Sequence, residues 1–169
     1  MKYAVVYQSK SGNTRLIAEQ IYNTLDTADK EIVDIDVTDE IPEADIYLVG
    51  FGIHSYSCSM DIADVFEQIE GKKYALFVTC GYMPTEQYKE KLKKNLDVWL
   101  PDVGECMGMF LCQGNVEDDR RKIMISQMPS REKEIKQMFQ MGSTHPDEED
   151  LENAAEFAMK IQTEAASYR

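Results

Sequence analysis

A chain of 169 residues, 43% of them hydrophobic, has room for one domain with a sizeable core. Its net charge of −13, from 31 acidic against 18 basic residues, argues against nucleic-acid binding, which needs a basic surface. No apolar run reaches the ~18 residues of a membrane helix, and four cysteines without CxxC or zinc spacing fit a reduced, cytoplasmic setting. Met1-Lys2-Tyr3-Ala4 enters a strand directly, about Lys2–Gln8, and no signal peptide is expected. That strand stops at Gln8-Ser9-Lys10-Ser11-Gly12-Asn13-Thr14, and a helix follows at once, about Asn13–Leu25. Leu16, Ile17, Ile21 and Leu25 form its expected buried stripe.

The loop between them is suited to an anion. Ser9, Ser11 and Thr14 supply hydroxyl donors, and Gly12 lets the backbone approach a ligand. The helix start adds unpaired N–H groups and a partial positive charge. The loop lacks the lysine of a P-loop and the glycine pattern of a dinucleotide fold. A single phosphomonoester suits it best; the plainer alternative is a Ser/Asn turn with a helix cap.

Further along, Glu31–Thr38 alternates apolar and acidic residues and reads as an edge strand. Its acids Asp34, Asp36, Asp39 and Glu40 are expected on the solvent face and turn. Asp45–Phe51 and Lys73–Thr79 are continuous apolar runs of the central parallel type, and Glu105–Cys112 is a fifth strand. Cys106 and Cys112, six apart on it, are expected on one face and too far apart to bridge. Helices are expected over Ile62–Ile69, Thr85–Trp99, Glu117–Gln127, Arg131–Gln140 and Asp147–Tyr168, with Pro129 splitting the third from the fourth. This alternation implies an α/β, doubly wound five-stranded parallel sheet of order 2-1-3-4-5 with helices on both faces. One domain spans 1–169, with an added helical segment about 115–145 before the final helix. Ligands bind such sheets at the carboxyl ends of the strands. The loops after the first, third and fourth strands should therefore meet there. The second and third of these are Gly50-Phe51-Gly52-Ile53-His54-Ser55-Tyr56-Ser57-Cys58 and Thr79-Cys80-Gly81-Tyr82-Met83-Pro84.

Ser9-x-Ser11-Gly12-Asn13-Thr14, directly after the first strand, resembles the flavodoxin phosphate loop, and the resemblance extends over nearly the whole chain. It implies FMN as cofactor, with Ser9, Lys10, Ser11, Gly12, Asn13 and Thr14 around the phosphate. Gly52, His54 and Tyr56 from the second loop, and Thr79, Cys80, Gly81 and Tyr82 from the third, would then surround the ring. Tyr56 and Tyr82 are the stacking candidates, ahead of Phe51, which still continues its strand. Gly50 or Gly52 supplies the peptide that flavodoxins place near flavin N5. The resemblance further implies a monomeric electron-transfer protein that takes electrons from a reductase or ferredoxin and passes them to a partner redox enzyme. Its acidic surface would steer docking, although acidity also serves plain solubility. The alternative on the same fold is a flavin-dependent oxidoreductase, a quinone or flavin reductase or a protoporphyrinogen-oxidising type. No catalytic residue and no metal site is assigned. A receiver domain shares the topology, but its acidic positions hold Gln8-Ser9 and Gly50-Phe51 here, and Gln113-Gly114 stands where its lysine belongs. Cys80 is expected to be a buried inert thiol and His145 a structural residue at the last helix start. The methionines around Ile123–Met141 suggest either a partner surface or simple packing of the added helices.

Overall fold

A computed structural model of the protein describes residues 1–167. Five strands, β1 (Tyr3–Tyr7), β2 (Lys30–Asp34), β3 (Ile46–Gly52), β4 (Lys73–Cys80) and β5 (Glu105–Gln113), form one sheet of order β2-β1-β3-β4-β5. Every pairing is parallel. Six helices connect and cover them: α1 (Asn13–Thr24), α2 (Met60–Gln68), α3 (Glu86–Leu96), α4 (Asp118–Gln127), α5 (Glu132–Gly142) and α6 (Glu148–Ser167). A single 3-10 turn, Pro129–Arg131, separates α4 from α5, as the proline predicts. Of the expected final helix, Tyr168 lies outside the described residues.

The apolar runs explain the sheet. Along β1, Tyr3, Val5 and Tyr7 face one layer and Ala4 and Val6 the other, all buried. The first layer is closed by Ile17, Ala18 and Ile21 of α1 and by Ala154, Ala158, Ile161 and Ala165 of α6. Three alanines among those four let α6 lie close to α1, where Gln162 and Asp26 exchange side-chain and backbone hydrogen bonds. The second layer is closed by Ile62, Val65 and Phe66 of α2 and by Leu92 and Leu96 of α3. Phe51 is part of it, edge-on to Phe66 at 6.1 Å, so it points into the core as its strand position implies. Each such large side chain contributes about 1.5–3 kcal/mol through burial.

Three local expectations are corrected. Leu16 is 48% exposed, because the helical period turns it away from the face of Ile17 and Ile21, where Thr14 and Ala18 complete the buried stripe. The second strand ends at Asp34 rather than Thr38: Val37 and Thr38 donate back to the Asp34 carbonyl, a turn that leaves Val37 82% exposed. Cys106 and Cys112 lie on opposite faces. The register of β5 gains one residue between Cys106 and Met109, so alternation reverses at the bulge; Cys106 is exposed and Cys112 buried. The other elements lie within two or three residues of their expected bounds. Ser59 and Thr85 cap α2 and α3 by accepting the Ile62 and Tyr88 N–H groups.

Candidate functional site

The register brings the strand ends level: Tyr7 pairs with Gly50, Gly52 with Thr79, and Thr79 with Cys112. Four loops converge there, not three. The fourth, Gly114–Glu117 after β5, packs on both neighbours, and Asn13 Nδ2 donates to the Asn115 carbonyl at 2.9 Å.

The first loop is shaped for an anion. Gly12 sits at φ +90°, a left-handed geometry that costs other residues more. This turn aims the start of α1 at the cavity. The Ser9 hydroxyl accepts the Arg15 N–H at 3.1 Å, and the Gly12 carbonyl accepts that of Leu16 at 3.2 Å. Asn13 and Thr14, in the first turn, have no intrahelical acceptor for their N–H groups. Ser11, Asn13 and Thr14 line a cavity of about 150 Å³, which also takes in Lys10, Gly52, His54, Thr79, Cys80 and Gly81. Ser9 is absent from that lining and serves chiefly to hold the loop.

Beneath the loop lies a network that sequence reasoning missed. Gln8, 5% exposed, donates to Asp36 at 2.9 Å and Asp61 at 2.8 Å and accepts from Ser59 at 2.6 Å. Lys10 bonds Asp36 at 2.8 Å, which holds that carboxyl below its ordinary range, with Gln8 adding to the effect. Asp36 is therefore a structural anchor, not an idle solvent-face acid. Lys10 is neutralised by it. The cation of the cavity comes from elsewhere: Arg120, on α4, lines it with its guanidinium 3.4 Å from His54 Nε2. Guanidinium only donates, so Nε2 accepts and the ring is neutral. Burial, then Arg120 and Lys10, push the His54 pKa down, in agreement. Nothing in the local sequence marks Arg120, which lies 66 residues from His54.

Gly50 and Gly52 separate clearly. A Cβ on Gly50 would lie 1.9 Å from the Phe77 ring, and its carbonyl accepts the Gln8 N–H. Gly50 is thus spent on packing and the sheet. Gly52 has ordinary space around it, toward Thr79 and Thr14, whose hydroxyls meet at 2.9 Å.

Beyond Gly52, His54 and Ser57 exchange both backbone hydrogen bonds around Ser55 and Tyr56, at φ +52° and +62°. Such a turn favours Asn-Gly, and a tyrosine in this geometry costs on the order of 1 kcal/mol. Stacking offsets that cost. The Tyr56 ring lies 6.4 Å from Tyr82 at 19°, and 5.5 Å from Tyr88. Cys80 is buried: its thiol donates to the Tyr82 carbonyl at 3.2 Å, and burial pushes its pKa up to about 12. Gly81 is covered by Val116, whose methyl would meet a Cβ at 2.6 Å. His145 stands just before α6. Its Nδ1 bonds Asp150 at 2.6 Å, beside a reciprocal cap in which Asp147 and Asp150 accept each other's N–H.

Five parallel strands in the order 2-1-3-4-5 with helices on both faces define a flavodoxin-like α/β fold. The flavodoxin domain model matches residues 4–159, and the chain belongs to that family. It is 29% identical over 175 residues to the flavodoxin-like domain-containing protein BilS of Clostridioides difficile (strain CD3), covering 98% of this chain and 99% of that one. Among solved structures it resembles a flavodoxin from the domain Archaea, at TM-score 0.55 and 19% identity over 97% of this chain and 98% of that one. It also resembles the flavodoxin, WrbA-like protein from Agrobacterium tumefaciens, at TM-score 0.56 and 15% identity over 99% of each. Among the described residues no helix is long and apolar enough to cross a membrane.

Proposed function

We propose that this chain binds FMN and works as a monomeric cytoplasmic electron carrier between a reductase or ferredoxin and an acceptor redox enzyme. The observation that carries the reading is the convergence of the α1 N-terminus with the Tyr56–Tyr82 pair on one end of the sheet. The Ser11 hydroxyl and the Asn13 and Thr14 N–H groups hold the phosphate, with Arg120 balancing its charge. Tyr56 and Tyr82 cover the ring faces, and Gly52 leaves its peptide free to meet the ring edge. When bound, the flavin supplies the electron-accepting and electron-releasing chemistry. The protein excludes water, fixes orientation and sets the local charge. The net charge of −13 guides a basic partner, so transfer slows as salt rises.

The test begins with binding. Apo-protein quenches FMN fluorescence at one equivalent, and Ser11→Glu abolishes this while far-UV circular dichroism is retained. Unchanged affinity in that variant removes the phosphate assignment. An anaerobic reductive titration of the loaded protein then resolves two one-electron steps. A single two-electron step removes the carrier reading. It favours a flavin-dependent oxidoreductase of the quinone or flavin reductase or protoporphyrinogen-oxidising type, which the open cleft beside Tyr82 also supports. Steady NAD(P)H oxidation with a quinone and no added reductase is its signature.

A further inference from the structure

The segment between α3 and β5, Asp97-Val98-Trp99-Leu100-Pro101-Asp102-Val103-Gly104, holds the chain's one tryptophan, two valines and two aspartates, and no lysine or arginine. Its path is fixed by backbone bonds. The Trp99 N–H donates to the Leu96 carbonyl at 2.8 Å, and the Gly71 N–H to the Val103 carbonyl at 2.7 Å. The Val103 N–H donates to a Glu70 carboxylate oxygen at 2.5 Å. Gly104, at φ +143°, lies so close to Lys72 that a Cβ would meet its carbonyl at 2.7 Å. This tied loop nevertheless turns apolar side chains outward: Val98 is 78% and Trp99 37% exposed, and Val103 is exposed as well. Facing it on α2, Met60 is exposed on the same stripe as Asp64 and Glu67.

Between the loop and α2 runs a groove of about 280 Å³, with Met60, Val98 and Trp99 in its apolar lining. Every charged residue that lines it is an acid: Asp64, Glu67, Glu70 and Asp102. Glu70 is engaged by the Val103 N–H, and among the described residues Asp64, Glu67 and Asp102 have no ion-pair partner.

We propose that this groove docks a basic amphipathic segment of a partner protein. Its apolar side chains pack on Trp99, Val98 and Met60, and its lysines or arginines pair with Asp64, Glu67 and Asp102. A tryptophan, a methionine and unpaired acids gathered on one patch match that chemistry. A second copy meeting this face with its own would set acids against acids in a chain of net charge −13. Nucleic acid and anionic lipid are repelled by the same charges. The surface goes beyond the flavin reading, because none of its lining residues lines the cavity at the start of α1 or the tyrosine cleft.

Trp99 reports on the groove directly, since no other tryptophan contributes to emission. The experiment titrates the full-length protein with a tryptophan-free peptide, an acetylated and amidated double repeat of Leu-Lys-Lys-Leu-Leu-Lys-Leu. Trp99 emission shifts to the blue, saturates at one equivalent, and the affinity falls as salt rises. Asp64→Asn/Glu67→Gln weakens binding about tenfold at low salt, and Val98→Ser weakens it about threefold with no change of charge. Glu148→Gln/Glu149→Gln removes the same charge at the start of α6 and leaves the affinity within about twofold. These side chains are exposed apart from their backbone, and circular dichroism checks that each variant keeps its fold. The proposal is overturned by an absent or unsaturable shift, by unchanged affinity in either groove variant, or by an equal loss in the α6 variant. It is also overturned if light scattering shows the wild-type chain self-associating with Trp99 emission shifted before peptide is added. FMN titration of the same preparation tests the flavin reading separately: no FMN binding with the peptide still bound removes that reading and leaves this one.

Discussion

The two sides of the cavity at the start of α1 are built differently. The β1–α1 side rests on the buried Gln8 network and on the Thr14–Thr79 hydroxyl pair. The α4–α5 side is an addition clamped on from outside. No residue of α4 is buried. Arg121 does most of the holding: Nε donates to the Val116 carbonyl at 2.5 Å, a terminal nitrogen to Asn115, and the guanidinium lies 5.4 Å from the Phe139 ring centroid. Gln113 adds bonds from Nε2 to the Gly81 and Met138 carbonyls. The first wall is fixed by buried polar partners, the second by surface clamps on α4 and by Ile135, Phe139 and Gly142 of α5, which are buried.

Four substitutions sharpen that contrast. The largest effect is expected on the rigid side. Gly50→Ala sets a methyl 1.9 Å from a Phe77 ring that is fully buried and has no room to swing. Overpacking of this kind costs about 3 kcal/mol, read as a fall in the urea midpoint. Next, Gln8→Leu removes the amide that joins Asp36, Asp61 and Ser59, leaving Asp36 to Lys10 and Ser59 to the Ile62 N–H, at about 1 kcal/mol. It also loosens the phosphate loop and weakens FMN binding. On the other side, Arg121→Ala also costs about 1 kcal/mol of global stability. Its larger effect is local: amide exchange across 118–142 accelerates while β1, β3 and β4 keep their protection. Equal acceleration in the sheet would mean that the two sides form one cooperative unit, and the contrast drawn above would fail.

The same contrast decides what was readable in the sequence. The central strands were legible because apolar runs such as Asp45–Phe51 have no other use than a sheet buried on both faces. The strand–loop–helix unit around Ser9–Thr14 was legible because its residues are adjacent in the chain. Arg120 was not, since its link to His54 spans 66 residues and depends on how an amphipathically weak helix is clamped. Gln8 was passed over because a glutamine at a strand end says nothing of its partners. Leu16 and Cys106 were misplaced for a different reason. The helical period itself turns Leu16 away from Ile17 and Ile21, and strict alternation takes no account of the bulge in β5. The tyrosine pair was anticipated, but its reinforcement by Tyr88 and Lys91 needs α3 to be folded against the third loop.

The smallest effect is a dependence on pH, and it distinguishes the two ends of the cavity's frame. At the α6 start, the Asp150 hydrogen bond, aided by Asp150, Asp147 and Glu149 charge, raises the His145 pKa above its ordinary 6.5. A raised folded value means that the unfolded chain loses its proton first. The stabilisation is complete below about pH 6.5 and fades as pH rises through the folded value. At the other end, Lys10 holds Asp36 below its ordinary 3.8, so that contribution is present at neutral pH and fades only as pH falls below 3.8. His145 is partly exposed, and its share is less than about 1 kcal/mol. His145→Asn should therefore remove a shallow decline in stability above pH 6.5 and leave the acid limb untouched. Denaturation midpoints measured from pH 3 to 9 in both proteins check this. A decline that persists in the variant would move the alkaline sensitivity away from the α6 cap. The anchoring of Asn115, whose N–H donates to the His145 carbonyl at 2.8 Å, would then be independent of that proton.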